Sequence, residues 1–336
     1  MDKDRKLDHI QKAFDSQTGY AEQDRRFIYE PLLAAHPDAH REAFLFLGKQ
    51  MRAPLWVSSM TGGTGIARNI NQNLARACRE FGLGMGLGSC RKILFDKTYW
   101  DDFDVRDVIG SDQPFWANLG VAQVEELLAS HQEQAIVDLL GRLRADGLIV
   151  HVNPLQEWFQ PEGDRIARPP LETIQLLLSR VKAPLIVKEV GQGMGRESLK
   201  ELLQLPLEAI EFAAYGGTNF SKLEMLREDE ALRTGNAPFA FVGQTAQQML
   251  NDVNSLLDET TVNCRSLIIS GGVKNYLDAY YLVATSSLPA VFGMASSVLR
   301  HATADYETLK IYIENLLKAY RLAETYLRVN PNYEGK

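Results

Sequence analysis

Leu148–Phe159 reads LIVHVNPLQEWF, and its two halves make different demands on the fold. Leu148–Val152 is an apolar run of strand length, the signature of a strand buried on both faces. His151, Asn153, Gln156 and Glu157 then follow in close order. A strand that only has to pack needs no imidazole, amides and carboxylate at its end, because a buried polar group without a partner costs about 1–3 kcal/mol. His151 and Asn153 are two apart and so share one face of an extended chain. Pro154 lacks an N–H and closes the ladder, which leaves Gln156 and Glu157 over the end of the strand.

The same pattern recurs along the chain. Short β-rich runs stand at Leu55–Met60, Gly84–Gly88, Phe115–Gly120, Leu148–Val152, Leu185–Val190, Ala209–Ala214, Leu267–Ser270 and Ala290–Met294. Amphipathic segments lie between them at Asn69–Phe81, Val121–Ala145, Leu171–Val181, Arg196–Leu203 and Gln244–Leu257. Strands alternating with helices in this number predict an α/β fold of the (β/α)8 type, a TIM barrel, rather than a doubly wound sheet. One domain is expected over 1–336, with an N-terminal helical extension at 1–50 and a C-terminal helix at 305–328.

The 336 residues are 45% hydrophobic and carry a net charge of −7 with both signs interspersed, which disfavours a nucleic-acid surface or a polybasic membrane patch. Cys78, Cys90 and Cys264 form no C-x-x-C and no disulfide framework. The charged start MDKDRKLDHI has no apolar signal core, and no apolar run has the length of a membrane span, so a cytoplasmic protein is expected.

In a barrel the site lies on the loops after the strands, and here strand after strand ends in polar and glycine-rich sequence. Lys188 interrupts an otherwise apolar strand, and Glu189 beside it points to the opposite face, so the ammonium calls for an anionic or electron-accepting ligand. SGGVKN and GMASS close strands seven and eight, the positions where barrels bind phosphate through backbone N–H groups. GQGMGRES, after strand five, has the wrong glycine spacing for a dinucleotide loop. Glu157 amid neutral amides suits Mg²⁺, which takes one or two protein carboxylates plus phosphate oxygens. Arg91 and Lys92 after strand two are placed for an anionic substrate, while Cys90 reads as a small packed residue.

RKLDHI, SSMTGGTG, MGLGSCR, ANLG, HVNPLQE, IVKEVGQG, YGGTNF, SGGV and GMAS occur in the order seen in type 2 isopentenyl-diphosphate isomerases, a family the chain resembles from Arg5 to about Ala302. The resemblance implies an FMN-dependent barrel that interconverts isopentenyl and dimethylallyl diphosphate, with NADPH as the flavin reductant and Mg²⁺ on the diphosphate. It implies FMN contacts from Ser59, Met60, Thr61, Ser89, Asn118, Lys188, Thr218, Gly271, Gly272, Val273, Ala295 and Ser296. Arg5, Lys6, Ser89, Arg91, His151, Asn153 and Gln156 would hold the substrate, and Glu157 the metal. Gln156, Lys188 and His151 would be the catalytic side chains, and a homo-oligomer of four or more subunits is expected. The alternative is an FMN-dependent hydroxy-acid oxidase or dehydrogenase, which needs a histidine base beside an arginine; the pair on offer is Arg300–His301.

Overall fold

The computed structural model describes residues 5–38, 42–227 and 235–333. Eight parallel strands close into a barrel in chain order: β1 Leu55–Val57, β2 Gly84–Gly86, β3 Phe115–Gly120, β4 Gly147–His151, β5 Leu185–Lys188, β6 Ala209–Glu211, β7 Leu267–Ser270 and β8 Ala290–Met294. Helices follow the strands and pack outside, so the fold is the expected TIM barrel.

Alternation along each strand builds two cores. Inward residues Trp56, Trp116, Ile149, Ile186, Ala209, Ile268 and Val291 fill the barrel, while outward neighbours such as Leu185 and Val187 meet the helices. The Trp56 and Trp116 indole N–H groups have no acceptor, a cost of about 1–3 kcal/mol each. Burying an indole returns roughly 4–6 kcal/mol, so both remain favourable as fillers.

Two findings depart from the sequence expectation. The 1–50 extension is more than a helix and loops: Phe44–Phe46 and Lys49–Met51 form an antiparallel hairpin whose Phe46 and Met51 plug the barrel floor beneath the tryptophans. Phe27–Tyr29 pairs antiparallel with Leu327–Val329 and ties the two ends of the chain together. The segment Val121–Ala145 is two helices, Val121–Ala129 and Gln134–Leu143, broken where His131 takes a φ of 56°.

The C-terminal helix runs Tyr306–Tyr326, capped by the Asp305 carboxylate, which accepts from the Thr308 N–H at 2.7 Å. Its stripe Tyr306, Leu309, Ile313, Leu316 and Tyr320 is buried on the barrel's outer layer.

Candidate active site

One row of register partners organises the C-terminal mouth. Gly120, His151, Lys188 and Glu211 lie side by side across β3, β4, β5 and β6. Each is an even number of residues from an interior side chain of its strand, so all face into the barrel. The row holds no side chain at Gly120 for a spatial reason: a Cβ there would sit 2.3 Å from Gln123 Oε1 and 3.0 Å from His151 Nε2.

Asn118, one layer down, fixes the imidazole. Its Nδ2 donates to the Leu87 carbonyl at 3.0 Å, leaving Oδ1 to accept from His151 Nδ1–H at 2.8 Å. Burial first, and the Lys188 charge second, push His151 down to about 3, so the ring is neutral. An unfolded chain takes up a proton at this residue below about pH 6.5, which the folded chain refuses until about pH 3. The neutral ring's contribution to stability is therefore complete above about pH 6.5 and lost as pH falls toward 3. Urea unfolding between about pH 7 and pH 4 is expected to lose stability more steeply in the wild type than in His151→Gln; parallel slopes would mean the ring charges in the folded state.

Beyond β4, Pro154–Phe159 forms a short helix with Asn153 at its N-cap and proline at its first position, a placement that needs no N–H. Asn153 is buried, and its Nδ2 donates to Gln156 Oε1 at 3.1 Å and Glu157 Oε1 at 2.9 Å. Gln156 Nε2 donates to Glu224 Oε1 at 3.1 Å, and Arg227 pairs with the other Glu224 oxygen. The amide of Gln156 is thus held with its nitrogen toward one carboxylate and its oxygen toward Asn153. Glu157 Oε2 accepts the Asp164 N–H at 2.7 Å. Asp164 in turn grips Arg91 with both oxygens, at 2.6 and 3.2 Å, and accepts from Gln123 Nε2 at 2.7 Å.

On the far side of the mouth, a cavity opens between the ends of β1 and β5 to β8. Ser59, Met60, Lys188, Thr218, Gly271, Gly272, Val273 and Ala295 line it. Thr61, Ser89, Asn118 and Ser296 do not, and Ser297 stands on the wall next to Ser296. Gly271 and Gly272 have φ of 85° and 72°, in the left-handed region that glycine enters without strain. Three buried oxygens around the cavity have no partner, Ser58 Oγ, Ser59 Oγ and Glu211 Oε2. Lys188 Nζ donates to the Glu189 carbonyl at 2.8 Å. The Glu189 carboxylate turns outward and accepts N–H groups of Gly191, Gln192 and Gly193 at 2.6, 2.6 and 2.9 Å. Those amides are consumed by the chain's own anion, which is why GQGMG is a loop and no phosphate cradle.

The structure gathers His151, Asn153, Gln156, Glu157 and Arg91 on the β3–β4 side, and Ser59, Met60, Lys188, Thr218, Gly271, Gly272, Val273 and Ala295 around the cavity. Arg5 and Lys6 lie on Arg5–Lys12, an exposed helix with no buried residue, and do not line the cavity. Cys90 is buried, its thiol pushed up to about 12 by burial, which suits a packed residue and no nucleophile.

No family model matches the chain. The isopentenyl-diphosphate delta-isomerase of Rickettsia akari (strain Hartford) is 33% identical over 324 residues, covering 94% of this chain and 92% of the relative. That of Rickettsia prowazekii (strain Madrid E) is 31% identical over 325 residues with the same coverage. The chain belongs to the isopentenyl-diphosphate delta-isomerases. Membership in the isomerase family joins a fold shared more widely. A mutant mandelate oxidase with a monooxide FMN adduct superposes with a TM-score of 0.56 at 14% identity, over 89% of this chain and 82% of that one. A double mutant of flavocytochrome b2 with sulfite bound gives 0.59 at 15% identity, over 89% and 72%. These likenesses establish the barrel alone. The oxidase alternative fails on this chain's own geometry. His301 sits in the helix Ser296–Ala302, bonded through Nδ1 to the Ser297 carbonyl at 2.7 Å and stacked on Tyr312 at 4.1 Å.

Sequence reasoning passed over Glu211, Glu224 and Asp164. Glu211 was detectable by the rule that singled out Lys188, a charge at an inward position of an apolar run. Glu224 gave no such signal, because its partner Gln156 is 68 residues away. Asp164 lies in an aperiodic loop, QPEGDRIARPP, whose course depends on what it touches.

Proposed function

We infer that this isomerase moves the terminal double bond of isopentenyl diphosphate to give dimethylallyl diphosphate, using FMN, Mg²⁺ and NADPH as the flavin's reductant. The observation that carries the reading is the adjacency of two unlike half-sites. One is a cavity with a single ammonium, unpartnered hydroxyls and left-handed glycines; the other is an amide and carboxylate cluster with an arginine at its edge.

The first half-site fits FMN. Gly271, Gly272, Val273, Ala295 and Ser296 would hold its phosphate, where a side chain at Gly271 would already collide with Ala214. Ser59, Met60, Thr218 and Lys188, on the cavity wall, would hold the ring, with Thr61, Ser89 and Asn118 behind that wall, and the bare Ser59 hydroxyl has a hydrogen bond to give. Reduced FMN supplies a ring nitrogen at which a proton can be carried. The second half-site fits a one-carboxylate Mg²⁺ position. Among the described residues no group of three or more His, Cys, Asp or Glu could bind a metal alone, so Glu157 would hold the ion together with diphosphate oxygens.

The chain's own groups have distinct work. Arg91 and Gln156 offer donors to the diphosphate end, with Ser89 beside them, while Asn153 holds Gln156 and Glu157 in place; Arg5 and Lys6 would add their charge from the N-terminal helix. His151, neutral, presents a compact face against the hydrocarbon rather than a second cation. Glu224 orients Gln156, which either aligns the substrate or passes a proton. Lys188 would offset negative charge on the ring. An alkene is a poor base, so the pocket must present its acid in a dry, fixed geometry. Apolar walls from Val190, Ala214 and Met294 and the buried Asn153 provide that.

The test is an anaerobic assay with isopentenyl diphosphate, Mg²⁺, FMN and NADPH in D₂O. Deuterated dimethylallyl diphosphate, formed only when the flavin is reduced, is the expected product. Bound and reduced flavin without product would overturn the reading.

A further inference from the structure

Glu211 is a buried acid with an unpartnered carboxylate oxygen. It is 0% exposed, at the inward end of β6. Oε1 receives one long hydrogen bond, from Ser270 Oγ at 3.3 Å, and Oε2 receives none. A carboxylate so placed is expensive unless an opposite charge lies close. The cavity wall holds a single cation, Lys188. Lys188 and Glu211 are register partners on adjacent strands, whose backbones run about 4.8 Å apart, and both face inward. The strand neighbour Glu189 cannot serve Lys188 in this way, since its carboxylate points out into the loop amides.

We propose that Glu211 is the counter-charge of Lys188 and, through that lysine, sets how strongly the cavity prefers an anionic ring over a neutral one. This is a positioning role, and it rests on the flavin reading given above. With Glu211 present, the lysine's field is partly cancelled at the floor of the cavity. With it neutralised, the lysine acts on the ring alone. The reduced flavin is the form that carries the extra negative charge, so it gains and the oxidised form does not.

The experiment is the midpoint potential of bound FMN in the wild type, Glu211→Gln and Glu211→Asp, together with the affinity of each for oxidised FMN. Glu211→Gln keeps the shape and removes the charge; it is expected to raise the reduced-to-oxidised affinity ratio about tenfold, a rise of about 30 mV for a two-electron couple. Glu211→Asp keeps the charge and is expected to stay near the wild-type potential even if its shorter side chain weakens FMN binding. An unmoved potential in Glu211→Gln, with FMN bound, overturns the inference and leaves the flavin reading intact. A shift in Glu211→Asp equal to that in Glu211→Gln also overturns it, because shape rather than charge would be responsible. Should Glu211→Gln not fold, a wild-type potential in Glu211→Asp supports the inference and a raised one overturns it. A wild type that binds no FMN overturns the inference and the reading together.

Discussion

Glu157→Gln is expected to raise the Mg²⁺ concentration for half-maximal turnover by more than about 100-fold, since even outer-shell partners of a metal ligand cost 10–100-fold. The carboxylate already accepts from Asn153 Nδ2 at 2.9 Å and the Asp164 N–H at 2.7 Å, and each oxygen keeps further lone pairs for a cation. A glutamine has the same outline but no charge. It must also turn an NH₂ toward one of two donors, losing a hydrogen bond worth about 1–3 kcal/mol at this partly buried place. Because Glu157 does not line the β5–β8 cavity, FMN affinity should stay within about twofold of wild type. Mg²⁺ titrations of turnover, beside flavin fluorescence titrations, separate the two half-sites. An unchanged Mg²⁺ dependence would remove Glu157 from the metal.

Burial rather than pairing decided which parts of the barrel could be read. β3, β7 and β8 end where their apolar runs end, at Gly120, Ser270 and Met294. β1, β2, β5 and β6 are shorter than their apolar runs, because Ser58, Leu87, Val190 and Phe212 stay buried after their strands' last ladder partners. Apolar character reports removal from water, and a loop packed over a barrel mouth is removed from water too. The floor hairpin escaped for a different reason. Its two-residue turn is Leu47–Gly48, with φ of 50° and 74°, whereas turns with both φ positive normally announce themselves as Asn-Gly or Asp-Gly. A leucine there is a cost the packing of Phe46 and Met51 offsets, and no local pattern reveals it.

The candidate site divides along the same line. Lys188 and His151 were legible because a charge and an imidazole at the end of an apolar strand contradict the run that contains them. Asn153, Gln156 and Glu157 were legible by crowding. What could not be read was the support behind them: Glu224 behind Gln156, Asp164 linking Arg91 to Glu157, Asn118 behind His151 as a tautomer clamp. Each is a contact across strands or loops, fixed only once the barrel closes. The register row Gly120, His151, Lys188 and Glu211 shows the point most plainly, since four residues far apart in sequence become neighbours through parallel pairing alone.

Gly271→Ala is expected to weaken FMN binding by more than about 100-fold, a loss near 2.8 kcal/mol, while Gly141→Ala, the same change elsewhere, should stabilise the protein. At Gly271 the backbone has φ of 85°, and an added Cβ would lie 2.2 Å from both the nitrogen and the oxygen of Ala214. The left-handed conformation alone costs an alanine roughly 1–2 kcal/mol. The contact cannot be tolerated at all, so the loops after β6 and β7 must separate. That opens the Ala214 N–H to Ser270 carbonyl bond at 2.9 Å and the Ala213 N–H to Ser270 Oγ bond at 2.9 Å, and it moves the peptides that would face the phosphate. Gly141 lies inside the helix Gln134–Leu143 with nothing within 4 Å of its would-be Cβ. Alanine there is worth about 0.8–1 kcal/mol in helix propensity, and FMN binding should not change. Fluorescence titration with FMN and urea unfolding of both variants give the comparison. Wild-type FMN affinity in Gly271→Ala would show that the β7 loop is not where the phosphate sits, and the ring-side residues would then have to carry the cofactor without it.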